Sequence, residues 1–256
     1  MSDADRLSLH GRVDSQALLG EEVLVVQERA GWAQITLPRQ PSSRDSGGYP
    51  GWLPTAQLAE WENPGDGPTA VVSRPTTTLC AAVGGTALIA DVSFATRLPV
   101  AGPQEGQWLP VKVPASPGTG WVDARHVAVD PSGLPPAADV LAAAGLFRGL
   151  PYLWGGTSGL GLDCSGLVHL VFRRFGVTVP RDAHDQAAAG PPPVEPGETA
   201  AGDLLFFARP GSEIHHVGIC AGDGRMLHAP ESGRGIELER LSPQRLEHLV
   251  QAQRWA

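Results

Sequence analysis

Lysine is almost missing from this chain: of its nineteen basic side chains only Lys112 is not an arginine. Genome composition explains that bias more readily than so many separate bidentate recognition sites would. Positive charge is short overall, because 27 acidic side chains against 19 basic ones leave a net charge of -8. A dedicated nucleic-acid binder needs a basic face for phosphates, so no nucleic acid is expected as a partner. Cysteine is scarce too. Cys80, Cys164 and Cys220 are an odd number at wide spacings, which excludes both a disulfide framework and a zinc pattern of close pairs. At least one thiol stays free, and no metal or cofactor is expected. Long apolar runs are also absent. None is long enough to span a bilayer, and the opening MSDADRLSLHGRVDSQALLG holds no run of signal-peptide length. With Met1 as the true start, the expectation is a soluble cytoplasmic protein with no membrane partner. Nothing in the sequence fixes an oligomeric state.

What is present is an ordinary globular balance, 42% apolar and 18% charged over 256 residues, enough for a packed core and long enough for more than one domain. Glycine (32) and proline (24) are both abundant, and their spread along the chain predicts many turns between short strands. Residues 21–37 read as a hairpin around a Gly-containing turn. Residues 70–129 repeat the theme, with Gln107-Trp108 echoing Gly31-Trp32 and Gly120-Trp121-Val122 echoing Gly51-Trp52-Leu53. Two small β-barrels are expected, spanning 1–64 and 65–130. Taken singly, each tryptophan is expected to be a core side chain. The segment DPSGLPPAAD at 130–139 is a natural linker whose prolines open a helix. The last domain, 131–256, then runs through a glycine-rich turn, a helical segment and strand-like runs DLLFFA, HHVGICAG and RMLHAP, an α+β pattern.

In this last domain the chemistry concentrates. Cys164 follows GGTSGLGL, and Leu167, Val168, Leu170, Val171, Phe172 and Phe175 fall on one broad helical face, so Cys164 is expected in the first turn of a buried helix. Free N–H groups and the helix dipole there favour a thiolate. A lone cysteine in such a place is more often structural, and the histidines shift that balance. His216 opens HHVGIC and His228 ends RMLHAP, and the AGDG turn between them predicts a hairpin that points both to the same face. His215 then points to the opposite face and is the poorer base.

At these residues the sequence resembles a known family. Tyr152-Leu153-Trp154-Gly155-Gly156, Asp163-Cys164-Ser165-Gly166-Leu167, Pro180-Arg181-Asp182 with Gln186, Gly202-Asp203-Leu204 with Phe206-Phe207, His216-Val217-Gly218-Ile219 and Leu227-His228-Ala229 look like the successive motifs of the NlpC family of cell-wall cysteine peptidases, and residues 1–130 resemble bacterial SH3-like domains. The resemblance implies a papain-like catalytic domain preceded by two SH3-like β-barrels. It implies Cys164 as nucleophile, His216 as base, His228 as its orienting partner, and an oxyanion site of the Cys164 N–H and the Tyr152 hydroxyl. The layout is similar to family members that cut the γ-D-glutamyl-diamino acid bond of murein tripeptides or tetrapeptides with a free N-terminal L-alanine. By that likeness Asp182 and Tyr49 hold the substrate amine, with Ser165, Asp163 and Trp154 lining the same pocket and Glu21 or Glu22 as further carboxylate candidates. Ala183 and Cys220 depart from the family pattern. A remodelling endopeptidase acting on intact wall, and an inactive wall-binding module, are the alternatives.

Overall fold

A computed structural model of the chain describes residues 2–61, 67–116, 118–195 and 197–256. The expected boundary between residues 64 and 65 lies outside the described residues. After a short helix α1 (Asp3–Ser8), strands β1 (Leu24–Arg29), β2 (Trp32–Leu37) and β3 (Tyr49–Pro54) form one antiparallel sheet. The β1–β2 turn places Ala30 and Gly31 at φ of 51° and 80°, the left-handed pair whose twist matches that of the flanking strands. Inward-facing Ala33, Ile35, Leu37 and Tyr49 make the core of this module. The expectation that each tryptophan is a core side chain fails for the two in this sheet: Trp32 and Trp52 are 49% and 47% exposed. Strand phase decides burial here, and the small apolar residues hold the inward phase.

The second module contains β4 (Thr69–Val72), β5 (Thr76–Cys80), β6 (Ala87–Ser93), β7 (Arg97–Pro99), β8 (Trp108–Lys112), β9 (Thr119–Asp123) and β10 (Val127–Val129). They form two sheets, β10-β4-β7 and β6-β5-β9-β8, closed over Val72, Leu79, Leu98, Val111 and Val122. The run VVSRPTTTL, which reads as one strand, is broken between β4 and β5 where Pro75 lacks an N–H for a ladder.

Helix α2 (Ala137–Gly145) opens the third domain and is followed by the short pair β11 (Thr157–Ser158) and β12 (Gly161–Leu162), then α3 (Cys164–Arg174) and α4 (Ala183–Ala189). Strands β13 (Leu204–Ala208), β14 (Ile214–Gly222), β15 (Arg225–His228), β16 (Glu237–Arg240) and β17 (Leu249–Gln253), with α5 (Pro243–Glu247) before the last, build an antiparallel sheet of order β16-β15-β14-β13-β17. Leu167, Val168, Leu170, Val171 and Phe172 of α3 pack with Leu204, Phe206, Val217, Ile219 and Leu227 of the sheet. Each such fully buried side chain contributes roughly 1.5–3 kcal/mol, so α3 is held rigidly. The alternate sheet residues Leu205, Phe207, Cys220 and Met226 form a separate cluster. Cys220 is thus a packing residue beyond His216 on β14. Among the described residues no helix is long and apolar enough to cross a membrane.

Both small modules press on the loop that leads into α3. A side chain at Gly155 (φ 71°) would meet the Val13 carbonyl oxygen at 2.4 Å, and one at Gly159 would meet that of Pro75 at 1.8 Å. Hydrogen bonds from Thr157 N–H to Gln16 Oε1 (2.8 Å), Gly159 N–H to Ser93 Oγ (2.9 Å) and Arg181 N–H to the Pro41 carbonyl (3.0 Å) tie the three parts together.

Candidate active site

Cys164 is the first residue of α3, with Asp163 as its N-cap. Asp163 Oδ1 accepts from Gly166 N–H at 2.7 Å, Oδ2 accepts from Gly155 N–H at 3.0 Å, and Arg181 donates to both oxygens at 3.0 and 2.6 Å. This buried pair and cap lock the tip of α3 in place. They also occupy Asp163 fully, so the structure gives it a supporting part under the site. Ser165 is buried beside it, with its hydroxyl 3.4 Å from Asp163 Oδ1 and accepting from Arg181 at 3.1 Å.

The partly buried Cys164 sulfur lies against the backbone N–H groups of Ser165 and Val217. Val217 follows His216 directly, so the helix tip and the C-terminal hairpin meet at this sulfur. His216 is buried and His215 exposed, as strand alternation predicts. Across the hairpin Ile219 pairs with Leu227, which sets His216 diagonal to His228, and His216 Nε2 lies 2.8 Å from His228 Nδ1. Between them Gly218 leaves room: a Cβ there would come within 3.2 Å of His228 Cβ and 2.8 Å of Met226 Sδ.

Burial bears on the charge state of this group. It pushes the Cys164 thiol up to about 12, with the Asp163 charge adding to it, while the Val217 and Ser165 N–H groups and Arg181 oppose. Burial likewise holds His216 well below the ordinary imidazole range, aided by His228 and Arg245. Desolvation thus opposes the thiolate that the helix tip favours, and it opposes the imidazolium as well. Since a neutral base is required, hydrolysis should fail only as pH drops through the depressed value of His216. A kcat/KM profile with its acid limb below pH 6.5 checks this; a limb above 6.5 would contradict it.

Two residues behind the hairpin escaped the sequence reading. His228 Nε2 lies 2.9 Å from Glu239 Oε2 and 3.7 Å from Glu237 Oε1. The first contact is short, but burial holds His228 down at about 4, so the imidazole is neutral near pH 7, and the alignment is not that of a full hydrogen bond. Arg245 donates to Glu239 Oε2 at 3.0 Å. The signal was the strand ELER: alternation puts both glutamates on the face of His228 once β16 is paired with β15.

Tyr152 is also buried near the sulfur, and its hydroxyl is held well above the ordinary phenol range by burial and by the charges of Cys164 and Asp163. Among the described residues nothing takes that hydroxyl as a hydrogen-bond partner. Trp154 is 41% exposed and its ring lies 4.2 Å from that of His10, so its packing is with the N-terminal segment.

A second constellation joins the first module to the catalytic domain. The Tyr49 hydroxyl donates to Asp182 Oδ1 at 3.4 Å. Asp182 occupies the N-cap position of α4 yet makes no side-chain cap bond, and its Oδ2 is buried without a hydrogen-bond partner. Burial raises the Asp182 carboxyl despite the opposing Arg181 and Arg44. Arg44 stands 3.6 Å from Asp182 Oδ2 and 3.6 Å from Asp14 Oδ1, over the Tyr49 ring at 5.0 Å. Asp14 was another residue sequence reasoning missed, because it precedes any strand or motif. Glu21 does not reach this place: Arg173 holds it at 2.6 Å, with Leu18 N–H donating at 2.8 Å.

The same order of parts appears in other proteins. Residues 149–254 match the NlpC/P60 family, 6–58 match the bacterial dipeptidyl-peptidase Sh3 domain and 72–129 the YKFC SH3b2 domain. The γ-D-glutamyl-L-lysine dipeptidyl-peptidase of Bacillus subtilis is 38% identical over 228 residues, 88% of this chain and 75% of that one. The enzyme of that name from Bacillus cereus is 35% identical over 262 residues, covering 95% and 75%. The crystal structure of an NlpC/P60 family protein from Bacillus cereus superimposes with a TM-score of 0.91 at 32% identity, covering 100% of this chain and 87% of that one. With a thiol at a helix tip, a paired-histidine hairpin and two SH3b modules ahead of them, this chain belongs to the NlpC/P60 family of cysteine peptidases.

Proposed function

We propose that this protein hydrolyses the γ-D-glutamyl-diamino acid bond of murein peptides that carry a free N-terminal L-alanine, releasing the N-terminal dipeptide. The observation that carries the reading is Asp182, a carboxylate half-sunk between domains with one oxygen free of any hydrogen bond, facing the movable Arg44 at 3.6 Å, and the other under the Tyr49 hydroxyl. A buried acceptor of that kind suits an ammonium. The names of the Bacillus relatives support the bond. That Tyr49 comes from the first module favours released peptides over intact wall, because the module then serves as a pocket wall.

In this mechanism the Cys164 proton passes to His216 Nδ1 as sulfur attacks the glutamyl side-chain carbonyl carbon. The Cys164 N–H and the Tyr152 hydroxyl receive the oxyanion. His216 returns the proton to the departing amine, leaving a thioester, and then takes a proton from the water that hydrolyses it. His216 can accept at Nδ1 only in the tautomer protonated at Nε2, which donates to His228 Nδ1. His228 must then carry its own proton on Nε2, facing Glu239. Glu239 is thus a positioning residue: its charge selects the tautomer of His228, and His228 selects that of His216.

The test compares L-alanyl-γ-D-glutamyl tripeptides with free and acetylated N-termini. The free peptide should release its diamino acid, and acetylation should cost about 100-fold or more in kcat/KM, since it removes the ammonium charge that Asp182 would pair with and adds bulk at the pocket wall. Asp182→Asn should lower turnover of the free peptide about 10- to 100-fold and narrow the gap between the two. Equal rates for both peptides would refute the amine pocket.

A further inference from the structure

Asp182 already faces a cation that belongs to the protein itself. Arg44 sits on the loop of residues 38–48 between β2 and β3, with its Nε 3.6 Å from Asp182 Oδ2 and its Nη1 3.6 Å from Asp14 Oδ1. Its guanidinium lies over the Tyr49 ring, 5.0 Å from the centroid. Arg44 thus stands on the carboxylate, and against the aromatic ring, that the amine-pocket reading gives to the substrate.

The backbone that carries Arg44 is fixed. The Pro41 carbonyl accepts from Arg181 N–H at 3.0 Å, Ser43 N–H donates to Asp185 Oδ2 at 3.0 Å, and Gly47 N–H donates to Asp45 Oδ1 at 2.7 Å. Gly48 closes the loop at φ 116°, where a Cβ would lie 2.1 Å from the Leu37 carbonyl oxygen. These contacts keep the Arg44 Cα beside Asp182. The side chain is another matter: it is 48% exposed, and its contacts with both carboxylates are too long for hydrogen bonds. Asp182 Oδ2 is left without a hydrogen-bond partner. Held at its base and loose at its tip, this arginine can leave Asp182 by rotating about side-chain bonds alone.

The two cations differ in the direction that exchange requires. A half-exposed ion pair at this distance is weak. A primary ammonium is smaller and can approach Oδ2 to about 2.8 Å, as a charge-assisted hydrogen bond does. Exchange replaces one positive charge by another, so Asp182 keeps a counter-charge before and after. Burial pushes its carboxyl up and Arg44 is one of the charges that oppose the rise, which helps to keep the site anionic for an incoming amine. A neutral acylated end brings no charge and gains nothing by displacing the guanidinium.

We infer that Arg44 is a specificity-determining residue, a displaceable counter-ion that holds Asp182 until a primary ammonium takes its place. The inference rests on the proposed reading of Asp182 as the amine site and adds to it a competitor built into the protein. The test is calorimetric titration of the full chain with L-alanyl-γ-D-glutamate, the dipeptide product, and with its N-acetylated form. The wild-type chain should bind the acetylated dipeptide at least about tenfold more weakly than the free one. Arg44→Met keeps an apolar stem and removes the competing charge, so the free dipeptide should bind about three- to fivefold more tightly. General damage to the pocket would move affinity the other way. In an Asp182→Asn background the same substitution should change affinity by less than about 1.5-fold, because the competition needs the carboxylate. Unchanged or weaker binding of the free dipeptide by Arg44→Met, or a gain that persists beside Asp182→Asn, would overturn the role of Arg44 while a wild-type preference for the free amine leaves the Asp182 reading standing. Equal wild-type affinities for the two dipeptides would remove both.

Discussion

Cys164→Ala is expected to leave a folded protein whose hydrolysis of the alanyl-γ-glutamyl tripeptide has fallen at least about 1000-fold, to the level that binding and oxyanion contacts alone sustain. The fold should survive because the substitution removes one partly buried sulfur and puts the best helix former at the head of α3. The N-cap bond from Asp163 to Gly166 is untouched. Tm should move by no more than the few degrees that about 1 kcal/mol produces in a chain of this size. His216→Ala should be nearly as damaging, while His215→Ala should matter little, because the two side chains leave β14 on opposite faces. Steady-state rates and one unfolding curve per variant decide the matter. Retained turnover in Cys164→Ala would remove the nucleophile assignment, and equal losses at His215 and His216 would mean that the base is not chosen by strand phase.

What the sequence made legible was whatever local chemistry controls. The turn at Ala30-Gly31, the helix beginning at Cys164 and the shared face of His216 and His228 each follow from neighbours within a few residues, and all three appear where expected. The tryptophans misled because side-chain size predicts burial only on average, whereas the phase of β2 and β3 turned Trp32 and Trp52 outward. The electrostatics of Cys164 were legible only in part for a related reason. A helix tip favours a thiolate by a local dipole, but desolvation depends on everything packed around the sulfur, and here it opposes that preference. Strand β17 and the contacts of Asp14 and Arg44 were invisible, and the alternation of ELER acquired meaning only once β16 paired with β15, because each depends on segments distant in sequence coming together. Asp182 and Tyr49, 133 positions apart, meet as expected, yet only the family resemblance, and no periodicity, linked them.

The glutamates behind His228 should reveal themselves through non-additivity. Glu239→Gln alone is expected to cost about tenfold in kcat, because Glu237 at 3.7 Å can still favour the Nε2-protonated tautomer. Replacing both glutamates by glutamine should cost about 100-fold, because both charges that favour the Nε2-protonated tautomer are then gone. KM should be nearly unchanged, since neither carboxylate belongs to the Asp182 pocket. A general loss of packing would produce a similar fall, so the discriminating measurement is a double-mutant cycle with His228→Gln. The glutamine side chain can accept from His216 Nε2 through its own oxygen whatever lies behind it, so in that background removing the glutamates should cost less than about threefold. The two effects then fail to add, as expected of groups acting in one relay. Full additivity would place Glu237 and Glu239 outside the catalytic chain and reduce their contact with His228 to a surface ion-pair network with Arg234 and Arg245.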